Sequence, residues 1–260
     1  MTLLWIVGAT FLGGALSAAL ASAFLLLGDQ QRGWLLPHLI SFATGAMLAA
    51  ALVGLLPEAI TSAGPLHVQS IGVAVLAGIG LFFVLEKLVL WRHCHVEQCD
   101  THSPHEVGRD QAAGWIVLFG TGMHNAFDGV LIAAAFLTDT RLGMMTTIAI
   151  TAHEVPQELG DLAVLLHARM SARRALWFNA ASSLTSILGA LAGYFALRGA
   201  LGILPYAISV AAASLLYVAV ADLIPGLHRR VDPRGASAQV LLIAAGASLI
   251  WWAQRWLPDA

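Results

Sequence analysis

Two short runs of ionisable residues interrupt stretches that are otherwise as apolar as a membrane span. The first is His124-Asn125-Ala126-Phe127-Asp128-Gly129, and the second is His153-Glu154-Val155-Pro156-Gln157-Glu158-Leu159-Gly160-Asp161. An ionised side chain at the centre of a bilayer costs about 2.5–3.5 kcal/mol on insertion scales, so Asp128, Glu154, Glu158 and Asp161 together would cost on the order of 10 kcal/mol if uncompensated. No Lys or Arg occurs between Arg109 and Arg141, or between Arg141 and Arg169. The compensating positive charge therefore has to come from outside the chain, and a metal ion fits that requirement.

The membrane assignment rests on composition. The chain is 58% hydrophobic and only 11% charged, where a soluble domain carries about 25% charged residues. A helix needs about 20 apolar residues to cross the bilayer. Eight stretches qualify, at roughly 3–27, 35–58, 68–88, 114–137, 143–167, 175–197, 200–225 and 236–256. The expectation is an all-α polytopic membrane protein of eight transmembrane helices forming a single transporter domain over residues 1–260. Only the fourth and fifth stretches hold ionisable residues at mid-depth. Trp5, Trp34, Trp91, Trp115, Trp177 and Trp256 fall near helix ends, as an aromatic belt requires. The first stretch lacks a preceding Lys or Arg and exceeds the 7–15 residues of a signal core, so it reads as a retained helix. No basic patch suggests nucleic acid, and the two cysteines, Cys94 and Cys99, make no disulfide framework.

Loop charge predicts orientation. Ten of the 13 Lys and Arg residues follow the odd-numbered helices, which places those loops in the cytoplasm and both termini outside. The expected location is the inner (plasma) membrane of a bacterium. The longest polar loop, residues 92–111 on the cytoplasmic side, carries His93, Cys94, His95, Cys99, His102 and His105. Such tracts suit metal capture, although the spacing matches no zinc finger and a solvated loop is the competing reading. Helix two ends Leu55-Leu56-Pro57-Glu58 and helix seven ends Leu223-Ile224-Pro225-Gly226, a faint echo of an inverted repeat. Gly189 and Gly193 form a G-x-x-x-G that lets helices pack closely without implying an oligomer. A homodimer stays open, and the other partners expected are lipid and divalent ions.

Helical geometry turns the polar runs into a site. Side chains four apart share a face, so His124 pairs with Asp128 and His153 with Gln157, with Asn125 and Glu154 to one side. Both runs begin about ten residues from a membrane surface, hence at matched depth. Pro156 frees the carbonyl of Ala152 and bends its helix, while Gly129 and Gly160 allow close packing or further bending. Imidazole, carboxylate and amide without thiolate suit zinc, iron(II) or manganese. Glu158, Asp161 and His167 continue toward the cytoplasm as a candidate path, with Asp222 and His228 at the same face. His38 and His67 read as histidines bonded to a neighbouring helix.

At this point the residues match a known family. The chain resembles the ZIP metal transporters, in the branch whose fourth helix reads HN-x-x-D-G and whose fifth reads HE-x-PHE-x-GD. Residues 80–87 in helix three and Leu56-Pro57-Glu58 in helix two match as well. The resemblance implies eight helices, with 1–3 and 6–8 related by inverted symmetry around 4–5. It implies import of divalent metal into the cytoplasm, with zinc foremost and iron(II), manganese or cadmium as further cargo, and no cofactor. It assigns His124, Asp128, His153 and Gln157 to a main site, and Asn125, Asp128, Glu154 and Gln157 to an adjacent one. It also makes the histidine loop a collector or sensor of cytoplasmic metal. Two departures stand out. Gln157 replaces the usual His, and Ser186 falls where some members place a Glu that completes a second metal position.

Two other classes were weighed. His153-Glu154 begins an H-E-x-x-H motif, as in an intramembrane metallohydrolase, but Gln157 stands where the second His is needed. A proton-coupled carrier of an organic solute could also use buried carboxylates, yet nothing supplies a cation to hold an anionic substrate. The chain is expected not to be an enzyme.

Overall fold

The computed structural model describes residues 1–24, 26–97, 106–167, 170–228 and 233–256. Cys99, His102 and His105 lie outside the described residues, as do the side chains of His93, Cys94, His95, His167 and Asp222. Among the described residues every regular element is helical. In lipid a backbone has no water to bond, so each segment must close its own hydrogen bonds.

The elements run α1 (Thr2–Phe24), α2 (Asp29–Ala49), α3 (Leu56–Ala63), α4 (Val68–Glu97), α5 (Glu106–Thr138), α6 (Thr140–His167), α7 (Ala172–Ser183), α8 (Thr185–Leu197), α9 (Leu204–Tyr217), α10 (Ile224–His228) and α11 (Pro233–Trp256). Six helical stretches among the described residues are long and apolar enough to cross a membrane. Over their described residues α5 and α6, at 33 and 28 residues, are not among these six. They are the two that carry the polar runs. The protein is a membrane protein.

The third and fourth helices are longer than the sequence suggests. The expected loop, 92–111, is helical at both ends, because α4 reaches Glu97 and α5 starts at Glu106. No Gly or Pro lies between Leu88 and Glu97 to stop the helix, so it runs on past its apolar part.

The two proline-containing helix ends share a device. A π-helical segment, Ala50–Leu55, joins α2 to α3, and another, Val218–Leu223, joins α9 to α10. In each, the residue before proline reaches back five positions, Leu56 N–H to Ala51 O and Ile224 N–H to Ala219 O. Proline cannot donate to the carbonyl four residues earlier. For Pro57 that carbonyl is Val53 O, and the Gln254 amide of α11 supplies the missing donor at 3.1 Å.

Helix packing is organised in five close pairs: α5 with α8, α2 with α11, α5 with α6, α1 with α6, and α4 with α9. Two of these pairs are held by reciprocal glycines. A Cβ on Gly129 would strike Ser186 O, and one on Gly189 would strike Ala126 O. Gly45 meets Ile243 O, and Gly246 meets Phe42 O in the same way. Gly189 and Gly193 therefore serve α8 against α5 within one chain. Gly160, by contrast, is exposed with open space where a Cβ would go. It packs against nothing, contrary to expectation.

Two apolar clusters bracket the centre of α6. One contains Leu131, Phe136, Met145 and Ile150, and the other Phe24, Val155, Leu159, Leu162 and Leu165. His153 and Glu154 fall in the gap between them, where a polar site can be walled off on two sides.

Candidate metal centre

α5 and α6 bring the two polar runs together. His124 Nε2 lies 3.2 Å from Asp128 Oδ2, one turn along α5. His153 Nε2, on α6, lies 3.4 Å from the same oxygen. The two imidazoles face each other, Nε2 to Nε2, at 3.2 Å, with their rings nearly perpendicular at 87°. The matched depth read from the sequence is thus a direct contact.

These donors have few other partners. Asp128 and His153 are buried, and the His124 side chain keeps 24% of its surface exposed. Asp128 Oδ2 makes no hydrogen bond of good geometry. His153 Nδ1 sits 3.4 Å from Ala149 O, one turn back on its own helix. With its proton on Nδ1, facing that carbonyl, His153 would present the Nε2 lone pair to an ion. In that tautomer the Asp128–His153 edge sets lone pairs against each other, a conflict that a bound cation removes.

The size of the triangle is informative. Zinc with bonds of about 2.0–2.1 Å in tetrahedral geometry holds its ligand atoms about 3.3–3.4 Å apart. The observed edges are 3.2, 3.2 and 3.4 Å. Three ligands at this spacing leave a fourth position open, and among the described residues this is the one cluster of three His, Cys, Asp or Glu side chains so placed.

The remaining expected residues distribute around it. Asn125 is buried with its Nδ2 unpartnered, and Glu154 is buried beside His153 on α6. Gln157 is half-buried one turn after His153. Pro156 is buried, and α6 is helical on both sides of it. Ser186 gives its hydroxyl proton to Ser183 O at 2.7 Å. Glu158 turns away toward α1 and α7, where Ser17 and Ser183 donate to it. Asp161 accepts from Thr121 of α5 at 2.7 Å. His228 is exposed at the end of α10. His38 bonds Trp34 O of its own helix, 2.6 Å away, and not a neighbouring helix. His67 is exposed in a short 3-10 turn at Pro65–His67.

Sequence reasoning passed over Ser17, Ser183 and Thr121. Serine and threonine in helices usually bond their own carbonyls, and no spacing rule marks the few that reach a carboxylate. Asn179, an amide in an apolar stretch, is the signal that was available.

Comparison with known proteins gives the family. A family model described as ZIP zinc transporter matches residues 91–252. Zinc transporter ZIP13 of Pongo abelii is 32% identical over 237 residues, covering 85% of this chain and 67% of the relative. Its Homo sapiens counterpart is 31% identical over 268 residues, covering 85% and 71%. Human zinc transporter ZIP10 is 37% identical over 141 residues, which is 52% of this chain and 17% of that protein.

Proposed function

The chain belongs to the ZIP zinc transporter family, and from that premise we propose that it imports zinc into the cytoplasm through the His124–Asp128–His153 site. Members of this family are transporters, which removes the metallohydrolase reading. The observation that carries the proposal is the triangle of ligand atoms, whose edges match those of a tetrahedral zinc site.

In this reading zinc sheds water on reaching the centre, and two nitrogens and one carboxylate oxygen replace it. Gln157 supplies a fourth, neutral donor from the next turn of α6. Asn125 and Glu154 border an adjacent position for a second ion. Conduction needs a site that holds its ion and lets it go, and an amide in place of imidazole at residue 157 favours release. Glu158, Asp161, His167, Asp222 and His228 lie along or near the way to the cytoplasm. The loop histidines and cysteines gather or sense metal there.

Both termini face outward in this scheme, and eight spans alternate across an inner or plasma membrane. The contacts of Gln254 support it. Gln254 bonds Val53 O, and Arg141 Nη1 donates to Gln254 O at 2.9 Å. The end of the second span, the start of the fifth and the end of the eighth therefore share one face. The paired π segments and the exchange of close pairs support an inverted repeat of spans 1–3 and 6–8. Swapping one for six, two for seven, three for eight and four for five maps α1–α6 onto α5–α8, and α2–α11 onto α4–α9. Movement of one repeat against the other provides alternating access.

Uptake of radioactive zinc into vesicles holding the purified protein tests the proposal, with iron(II), manganese and cadmium as competitors. Saturable uptake that disappears in His153→Ala is expected. Zinc uptake undiminished in His153→Ala and Asp128→Ala would overturn it.

A further inference from the structure

A second buried polar cluster lies five residues along α6 from His153, about 7.5 Å down the axis and about 140° around it. Its centre is Glu158, which is 1% exposed. Ser17 of α1 donates to Glu158 Oε1 at 3.1 Å, and Ser183 of α7 donates to the same oxygen at 2.6 Å. The Asn179 side chain lies against the carboxyl from the preceding turn of α7. Glu158 Oε2 and Asn179 Oδ1 are both buried with no partner. Among the described residues no Lys or Arg pairs with Glu158.

The helix that faces Glu158 also ends there. α7 stops at Ser183 and α8 resumes at Thr185, without Gly or Pro to cause the break. Hydroxyls cause it. Ser182 donates to Asn179 O and Ser186 to Ser183 O, each at 2.7 Å, and the Thr185 hydroxyl lies 2.6 Å from both Ser182 O and Gly122 O of α5. Such back-bonding competes with the helical ladder. The C-terminal end of a helix carries a partial negative charge. A carboxylate, a negative helix end and two unpartnered oxygens thus converge in a buried region, an arrangement that a bound cation relieves, as would a proton on Glu158 shared with Asn179 Oδ1.

We propose that Glu158, Asn179, Ser17 and Ser183 form a sodium site at the C-terminus of α7, distinct from the His124–Asp128–His153 centre. The donors are all oxygen, which suits a hard ion and not one that prefers nitrogen or sulfur. One carboxylate neutralises one monovalent charge, whereas a divalent ion would leave net charge buried. Broken transmembrane helices coordinate sodium at such C-terminal ends in other transporters. The site joins α1, α6 and α7, so sodium here would couple the packing of α1 and α7 to the helix that carries His153. That coupling rests on the transport reading above, but ion binding does not.

The test is binding of radioactive sodium to the purified full-length protein in nanodiscs, free of zinc, at about pH 8.5, far above the ordinary carboxylate range. Choline keeps the ionic strength constant. Saturable binding is expected in the wild type and in Asp128→Ala. Glu158→Gln should weaken it at least about tenfold, and Asn179→Ala with Ser183→Ala should weaken it similarly, each variant being checked for monodispersity. Absence of saturable binding in the wild type would overturn the proposal in favour of a neutral carboxylic acid bonded to Asn179. Displacement of sodium by zinc in Asp128→Ala protein would also overturn it, by showing that the cargo occupies both places. Zinc uptake into vesicles then separates the two readings: sodium binding without zinc uptake in any condition sinks the transporter and leaves the sodium site standing.

Discussion

The two polar clusters on α6 share a helix, burial and, among the described residues, the lack of a Lys or Arg partner, yet they offer different chemistry. His124, Asp128 and His153 present two nitrogens and one oxygen from α5 and α6. Glu158 gathers hydroxyls from α1 and α7. Five residues of rotation separate them. A helix in lipid can therefore hold a borderline divalent ion on one face and exclude it from the next, because donor type and not charge alone decides which ion is stable. The apolar clusters on either side keep water from levelling that difference.

The comparison is most exposed to failure at Asp128. It is the one anion of the triangle and is shared by both imidazoles, so Asp128→Ala removes a ligand and leaves two nitrogens unopposed. Zinc affinity, measured by calorimetry, should fall by about 100-fold or more, beyond the 10–100-fold typical of outer-shell losses. Glu158→Gln should change it by less than about threefold, or about 0.7 kcal/mol. Equal losses in both variants would mean that the clusters act as one site.

Acid sharpens the contrast next. Protons and zinc compete for the same nitrogen lone pairs, so zinc binding releases protons and weakens as pH falls. The ordinary imidazole titrates near about pH 6.5. Between about pH 7.5 and 5.5 zinc affinity should drop at least about tenfold, with proton release visible as a buffer-dependent heat of binding. A flat profile would remove imidazole from the ligand set.

A smaller effect is expected at Gln157. Gln157→His places a second imidazole one turn from His153, completing two nitrogens on one face of α6. Zinc affinity should rise about tenfold, and uptake should slow as release becomes limiting. X-ray absorption should report an added nitrogen neighbour. An unchanged zinc shell would place residue 157 outside it.

How much of this was legible beforehand follows from what each signal depends on. Helix existence follows from apolar length, and the meeting of His124 with His153 follows from i to i+4 spacing and matched depth. The glycine contacts were legible at Gly129, Gly189 and Gly193, whereas Gly45 and Gly246 lie too far apart in sequence for any local pattern. The loop length was misjudged because polar residues such as Arg92 and His93 do not end a helix by themselves. The Leu56-Pro57 and Ile224-Pro225 echo turned out to mark two π segments, which a proline's missing donor explains but hydropathy does not register. Ser17 and Ser183 were silent because a serine's partner depends on a neighbouring helix.

The smallest expected effect lies outside both clusters, at Gln254. Its amide caps Val53 O, the carbonyl that Pro57 leaves without a donor. Gln254→Leu keeps the bulk and removes the donor. The bond from Arg141 survives, because it goes to the main-chain oxygen of Gln254. Val53 is partly exposed, so solvent at the membrane face can replace the lost partner, and the cost should stay near the about 1 kcal/mol of an ordinary hydrogen bond. Thermal unfolding should shift down by a few degrees, while zinc affinity and zinc uptake stay within about twofold of wild type. Loss of uptake in Gln254→Leu with zinc affinity intact would instead make the π segment a moving part, and the difference between the two clusters would then depend on the state of the outer helix ends.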